Sequence, residues 1–187
     1  MIARFVVWLA LIGVALAWPV ITYSRPERAA HPVLVIQVEG VIAPSAADYI
    51  IRAIKQADRE MAQALVIELD TPGGLDLSMR SIIKAMLAAE RPIVVYVSPG
   101  GARAASAGAF ITMAAHVAAM APGTNIGAAH PVNMGGQMDK EMSTKVTNDA
   151  AAYIRTIAEQ RGRNIQWAED AVRKSVSATE KEALQLK

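Results

Sequence analysis

The chain has no cysteine among its 187 residues. Disulfide bonds, a thiol nucleophile and thiolate metal ligands are therefore excluded. Aromatic residues are also scarce, at 5% with only two phenylalanines, so alanine and aliphatic side chains must fill the core. Because 53% of the residues are hydrophobic, the chain can bury a sizeable core as one domain with a short appendage.

A strong net charge is missing as well. The formal net charge is +2, and the basic residues neither cluster nor alternate with aromatic residues, so a nucleic-acid partner is not indicated. The three histidines are isolated, and no histidines or carboxylates have metal-ligand spacing. The glycine pairs at 100–101 and 135–136 do not fit a phosphate loop. We therefore expect neither a metal ion nor a cofactor.

The N-terminus carries the one long hydrophobic run. A short positive region containing Arg4 precedes an apolar run from Phe5 to Ala17, which ends in a small-x-small cleavage pattern. The run continues to Tyr23, close to the roughly 20 residues that span a bilayer. Residues 1–23 are predicted to be a signal peptide, with a retained membrane anchor as the alternative, and residues 24–32 to be a linker. Both interpretations predict that the rest of the chain is exported.

From residue 33 onward, short apolar runs alternate with longer segments of helical spacing. The short runs predict strands at 33–38, 64–69 and 93–97, with further β-rich stretches at 117–120 and around Ile126. The longer segments predict helices at 48–61, 75–89, 144–160 and 166–174. Such alternation predicts an α/β fold with a largely parallel sheet.

The C-terminal residues predict one more helix. Thr179 and Glu182 have the spacing of a capping box, and no strand follows them. We therefore expect the domain at 33–187 to be truncated at its C-terminus.

Ser106 is the strongest candidate for a nucleophile. It follows a buried strand and a Pro-Gly-Gly stretch, has small neighbours, and precedes a helical run. A hydroxyl at such a strand-to-helix turn is accessible and lies near the positive end of a helix dipole. The alternative is that Ser106 only caps the helix, and the stretch alone favours neither interpretation.

A second Pro-Gly-Gly turn follows the strand at 64–69. The amides of Gly73 and Gly74 could point into the crevice at the carboxyl end of the sheet. Together with the amide of Ala107, they could stabilise an oxyanion. The alternative is a tight turn that requires positive φ.

Four downstream residues could serve as the base for the serine. Lys145 is predicted in the first turn of a helix, where a partly desolvated amine would lose its proton more readily; the alternative is a solvated lysine. His130 lies in a loop and could act as an imidazole base or make a structural hydrogen bond. Lys140 is a further candidate, and His116 fits packing or surface better.

These segments together resemble the NfeD family of membrane-associated serine proteases, whose protease domain has a Clp-protease/crotonase-like fold. The matching segments are LDTPGGL at 69–75, ARAASAGAFI at 102–111, MAPGTNIGAAHP at 120–131 and KVTNDAAAYIRTIAEQRGRN at 145–164. They cover most of residues 33–187 in the expected order.

The resemblance implies a Ser–Lys dyad endopeptidase. It places the nucleophile at Ser106, the base at Lys145, and the oxyanion donors at Gly74 (or Gly73) and Ala107, with His130 as the alternative base. It also implies a homodimer on the extracytoplasmic side of a membrane, which cleaves hydrophobic segments of membrane proteins, stomatin-like ones in particular.

Three other functions fit the residues. A signal-peptide-peptidase-like protease would share the mechanism and differ in substrate. A non-catalytic scaffold for a stomatin-like protein would bind without cleavage. A crotonase-like acyl-CoA enzyme fits less well, because CoA is cytosolic and the chain is predicted to be exported.

Overall fold

A computed structural model of the chain describes residues 31–132 and 139–186. The predicted signal or anchor segment at 1–23 and the linker up to residue 30 lie outside the described residues. The strands are β1 (Val33–Glu39), β2 (Ala64–Asp70), β3 (Ile93–Val97), β4 (Arg103–Ala105), β5 (Val117–Met120), β6 (Asn125–Gly127) and β7 (Ser177–Thr179). The helices are α1 (Pro44–Arg59), α2 (Asp76–Ala88), α3 (Ala107–Ala114), α4 (Lys140–Arg161), α5 (Ile165–Arg173) and α6 (Glu180–Leu186).

Four strands form a parallel sheet in the order β1-β2-β3-β5. Alternate residues of β2 and β3 are fully buried, among them Leu65, Ile67 and Val95. Helices connect successive strands, as parallel pairing requires. The prediction of an α/β fold with a parallel sheet is confirmed.

Helix α1 begins four residues before its predicted start. Pro44 occupies the first turn, where its missing N–H costs no hydrogen bond. The first turn begins with the exposed residues Pro44 and Ser45 and reaches the core only at the small side chain of Ala47, so the large apolar side chains of Ile50 and Ile54 did not predict it.

A second, three-stranded sheet was not predicted as such. It has the order β4-β6-β7, with β4 and β6 parallel and β6 and β7 antiparallel. Thr71, just after β2, joins the two sheets: its N–H donates to Arg103 O, and Ala105 N–H donates to Thr71 O. Each strand of this sheet has three residues, too few to give a recognisable alternation.

Helix α3 is the most deeply buried helix of the described part, with all eight of its residues buried. Two arginines, Arg161 at the end of α4 and Arg163 just after it, donate hydrogen bonds to the carbonyls at the C-terminus of α3. Arg161 Nε donates to Ala114 O at 2.8 Å, and Arg163 donates to Met113 O and Ala115 O at 3.0 and 2.9 Å. Cations are favourable at the negative end of a helix dipole. Burial, and then the neighbouring Arg161, lower the pKa of Arg163.

Helix α4 begins at Lys140, four residues before its predicted start. Asp139 caps it by accepting a hydrogen bond from Met142 N–H. The helix ends at Arg161, one residue after its predicted end, because Gly162 has a φ of 64° in the left-handed region. The capping box of α6 is confirmed: Thr179 N–H donates to Glu182 Oε2, and Glu182 N–H donates to Thr179 Oγ1.

Among residues 31–132 and 139–186, no helix combines the length and the hydropathy that crossing a bilayer requires.

Arg163→Ala should lower the free energy of unfolding by about 2–4 kcal/mol, because two helix-end carbonyls lose their charged donor. Urea denaturation followed by circular dichroism measures the change. Arg59→Ala is the control, since Arg59 is exposed near the end of α1, and it should change the stability by less than about 0.5 kcal/mol. Equal effects of the two substitutions would contradict this role of Arg163.

Candidate active site

Ser106 lies between β4 and α3 in a strained backbone conformation. Its φ is 51° and its ψ is −116°, a region that non-glycine residues rarely adopt. Its N–H donates to Gly127 O, and its C=O accepts from Ala109 N–H. The side chain makes no capping hydrogen bond, so the interpretation of Ser106 as a side-chain N-cap is wrong. The hydroxyl is half-buried and makes no hydrogen bond to any described residue.

The backbone of Gly73 lies against the Ser106 side chain. A Cβ added at Gly73 would lie 2.6 Å from Ser106 Cβ and 3.1 Å from Ser106 Oγ. Gly73 also has a φ of 117°, so the turn requires glycine for its conformation as well as for this approach. The structure thus brings Ser106 and the Pro-Gly-Gly turn together, although they are more than 30 residues apart in sequence.

Thr71 shapes this turn, and the sequence analysis assigned it no role. Its side chain is fully buried, and its Oγ1 accepts a hydrogen bond from Gly73 N–H at 3.0 Å and lies 3.1 Å from Gly73 O, to which it donates. Its Cγ2 also packs where a Cβ of Gly108 would be, at 2.5 Å. A threonine before Pro-Gly-Gly is a local signal for such a side-chain turn.

The amides around Ser106 differ in whether they already donate a hydrogen bond. Gly73 N–H is bonded to Thr71, which makes it the weaker of the two glycine candidates for an oxyanion donor. The amides of Gly74 and Ala107 donate to no residue in the described part of the chain. A Cβ at Gly74 would meet Ile42 O at 2.4 Å, so this position also excludes a side chain.

Lys145 is exposed to solvent, contrary to the expectation from the sequence. It lies in the second turn of α4, its side chain is 68% exposed, and its Nζ pairs with Glu141 Oε1 at 2.8 Å. The expectation of a first-turn, partly desolvated amine is wrong for this structure, because α4 begins earlier and its first turns are exposed. No hydrogen bond joins Lys145 to Ser106 among the described residues.

His130 makes a structural hydrogen bond. Its Nδ1 lies 3.0 Å from the carbonyl oxygen of Val172, the penultimate residue of α5. A carbonyl only accepts, so Nδ1 carries the proton and Nε2 is free of it in the neutral ring. No hydrogen bond links His130 to Ser106 among the described residues.

His116 and Lys140 lie away from the serine. His116 follows the C-terminus of α3, at the opposite end from Ser106, and its Nδ1 accepts from Ile93 N–H at 3.0 Å. Burial, and then the nearby Arg161, lower the pKa of His116. Lys140 is exposed at the start of α4. No group of three or more His, Cys, Asp or Glu side chains that could hold a metal ion occurs within 31–132 and 139–186.

A strained serine at a strand-to-helix turn, facing a glycine turn with an available amide, is an arrangement typical of serine hydrolases. A family model for the NfeD1b N-terminal domain matches residues 32–187. The chain belongs to the NfeD1b N-terminal domain family.

Two curated relatives are membrane proteins. The membrane-bound protease PH1510 of Pyrococcus horikoshii is 40% identical over 163 residues, which are 86% of this chain and 37% of the relative. The membrane protein NfeD1b of Bacillus subtilis is 32% identical over 120 residues, which are 64% of this chain and 27% of the relative. The chain thus spans well under half the length of either relative.

Solved structures of the 1510-N membrane-bound stomatin-specific protease match the fold. A serine-to-alanine mutant has a TM-score of 0.78 and 38% identity, covering 84% of this chain and 77% of its own. A lysine-to-alanine mutant in complex with a substrate peptide has the same TM-score and identity, covering 84% of this chain and 73% of its own.

Gly73→Ala should abolish reaction of Ser106 with a serine-directed probe, because the new methyl group would displace the serine side chain. Fluorophosphonate labelling followed by mass spectrometry measures this. Gly101→Ala is the matched control: Gly101 has a φ of 91°, but a Cβ there meets nothing within 4 Å. It should cost about 1–2 kcal/mol of stability and leave labelling intact. Loss of labelling in both variants would show that backbone strain, and not the approach to Ser106, is responsible.

The lowered pKa of His116 predicts a loss of stability in weak acid. The unfolded chain takes up this proton below about pH 6.5, whereas the folded chain resists it. The contribution is therefore complete above that pH and declines as the pH falls toward the folded-state value. His116→Asn, which offers a neutral acceptor to Ile93 N–H, should flatten the decline in urea denaturation between about pH 7 and 5. An unchanged slope in the variant would contradict this.

Proposed function

We propose that this chain is the catalytic domain of a membrane-associated serine endopeptidase with a Ser106–Lys145 dyad. The observation that carries the proposal is the geometry of Ser106: a strained residue directly beside the Gly73-Gly74 turn, whose hydroxyl is bonded to none of the residues that the structure describes. The family membership and the likeness to a protease studied as serine and lysine mutants support it.

In the proposed reaction, Ser106 Oγ attacks a peptide carbonyl carbon while its proton passes to the neutral Nζ of Lys145. The amides of Gly74 and Ala107 hold the oxyanion, each worth about 3–4 kcal/mol in the transition state. The leaving amine takes the proton from Lys145. Water then hydrolyses the acyl-enzyme with Lys145 again acting as base. Gly73 contributes the close backbone approach rather than a donor, since its amide is bonded to Thr71.

The dyad requires a change from the arrangement described above. Lys145 must leave Glu141, turn toward Ser106 and lose its contact with water, since only a neutral amine can take the serine's proton and desolvation favours the neutral form of an amine. Binding of an apolar substrate segment would bring about this desolvation. Leu75 and Leu77, which follow the glycine turn, and Met142 near the start of α4 are exposed side chains that such a segment could cover.

The remaining proposals concern the surroundings of the domain. We assign residues 1–23 as a signal peptide or membrane anchor and residues 24–32 as a linker. The domain at 33–187 lies on the extracytoplasmic side of a membrane in this proposal, and it forms a homodimer. The substrate class is a hydrophobic segment of a stomatin-like membrane protein, supported by the substrate specificity named for the 1510-N protease. His130 is kept as the alternative base.

The test is labelling of the full chain with a fluorophosphonate probe between about pH 6 and 10. Ser106→Ala should abolish labelling, and Lys145→Ala should slow it by about 100-fold or more. Lys140→Ala is the matched control, because Lys140 is an exposed lysine on the same helix; it should leave the rate unchanged, as should His130→Ala.

Two other outcomes would redirect the assignment. Loss of labelling in His130→Ala but not in Lys145→Ala would assign the base to His130. No labelling of the unaltered chain at any pH, together with unimpaired binding of a stomatin-like protein by Ser106→Ala, would favour the scaffold instead.

A further inference from the structure

Three helices of the domain each carry or follow one part of the proposed site. Helix α2 begins two residues after Gly74, α3 begins directly after Ser106, and α4 carries Lys145. A base on α4 can reach the serine only if α4 has the right rotation and height relative to α2 and α3. Side chains that bond the three helices to one another hold that rotation and height.

Arg80 of α2 makes such a bond to α4. Its Nε pairs with Asp76 Oδ2 at 2.9 Å, one turn earlier on α2, and its Nη2 pairs with Asp149 Oδ2 of α4 at 2.5 Å. Its Cζ also lies 4.3 Å from the ring centroid of Tyr153, the residue one turn further along α4. One guanidinium thus bonds and stacks on two successive turns of α4 while Asp76 holds it on α2.

Tyr153 extends this contact to the nucleophile helix. Its ring stacks on Phe110 of α3, with the ring centroids 6.1 Å apart and the planes at 26°. Phe110 lies one turn after Ser106 and is buried. The contacts among Arg80, Tyr153 and Phe110 therefore join three helices. These are α2, which follows the glycine turn, α4, which carries the proposed base, and α3, which follows the serine. We call these three residues the clasp.

Lys145 shares the face of α4 that the clasp holds. Lys145, Asp149 and Tyr153 are spaced by four residues, so they lie along one side of the helix. Lys145 is about 6 Å from Asp149 along the helix axis. A rotation of α4 that broke the Asp149 and Tyr153 contacts would turn Lys145 away from α2 and α3.

We propose that Arg80 is a positioning residue that sets the rotation of α4 so that Lys145 can reach Ser106. It touches no reacting atom, and the proposal rests on the Ser106–Lys145 dyad proposed above. A further ion pair ties α4 to α5 from a different side of the helix, between Arg155 and Glu169 at 2.9 Å. It provides a matched control.

A cysteine pair tests the geometry without requiring catalysis. The chain has no cysteine of its own, so the double variant Ser106→Cys/Lys145→Cys can be cross-linked with a short bis-maleimide against no background. Adding Arg80→Ala should slow the cross-linking by about 10- to 100-fold, since small misplacements of paired groups have effects of that size. Adding Arg155→Ala should leave the rate unchanged.

The chemical readout uses the native Ser106 and Lys145. Arg80→Ala and Asp149→Asn should each slow fluorophosphonate labelling by about 10-fold or more, and the two together no more than either alone, because both break the same contact. Arg80→Lys should give an intermediate rate, since an ammonium cannot bond both carboxylates in the planar geometry of a guanidinium. All rates are measured well below the melting temperature of each variant. The melting temperatures of the Arg80 and Asp149 variants are compared with that of Arg155→Ala.

The outcomes separate the two proposals. Cross-linking that is equally fast with and without Arg80 would overturn the positioning role and leave the dyad intact. Labelling losses that follow the melting temperature in the Arg80→Ala and Arg155→Ala variants alike would also overturn it. No cross-linking even with Arg80 present, together with labelling that Lys145→Ala does not slow, would overturn the dyad, and the positioning role with it.

Discussion

The contact between the Gly73 backbone and the Ser106 side chain is the constraint on which the site depends. It requires glycine at position 73, because any Cβ would overlap the serine. It also requires β4 to run directly beside the end of β2, which the two hydrogen bonds of Thr71 to β4 ensure. The strained conformation of Ser106 persists because its N–H is bonded to β6 and all of α3 behind it is buried. Sheet pairing, turn and helix burial thus act together to present one hydroxyl.

The second half of the proposed site is held less firmly. Lys145 lies on exposed turns of α4 and pairs with a carboxylate of its own helix, whereas the end of α4 is fixed by arginine contacts to buried carbonyls. The proposed mechanism therefore combines a firmly held nucleophile, Ser106, with a base, Lys145, whose approach depends on side-chain contacts among helices. A protease that acts only when an apolar segment excludes water would benefit from this division, since the base would come into place only when substrate arrives.

Much of this was predictable from the sequence, for identifiable reasons. Buried parallel strands such as β3 are short apolar runs, so their positions follow from local composition. Gly162 and the Thr179–Glu182 box mark helix ends by chemistry that acts within a few residues. Ser106 was recognisable as a candidate nucleophile because small neighbours and a strand-to-helix turn are local features. The strands β4 and β7 were missed because three residues carry no period, and β6, predicted around Ile126, lies in the second sheet and not in the parallel one. The approach of Gly73 to Ser106 and the contacts of the clasp join residues far apart in sequence, which no local pattern encodes. The exposure of Lys145 was not predicted, because the early start of α4 at its Asp139 cap carries no apolar period.

The most direct test of the central claim is a crystal structure of the full chain with a peptidyl phosphonate bound to Ser106. The phosphonyl oxygen stands in for the oxyanion, and a tetrahedral phosphorus for the reacting carbon. The account predicts that this oxygen accepts hydrogen bonds from the amides of Gly74 and Ala107, and that Lys145 Nζ has left Glu141 and lies within hydrogen-bond distance of Ser106 Oγ. An adduct in which Lys145 stays paired with Glu141 in solvent while another group contacts Ser106 Oγ would contradict it.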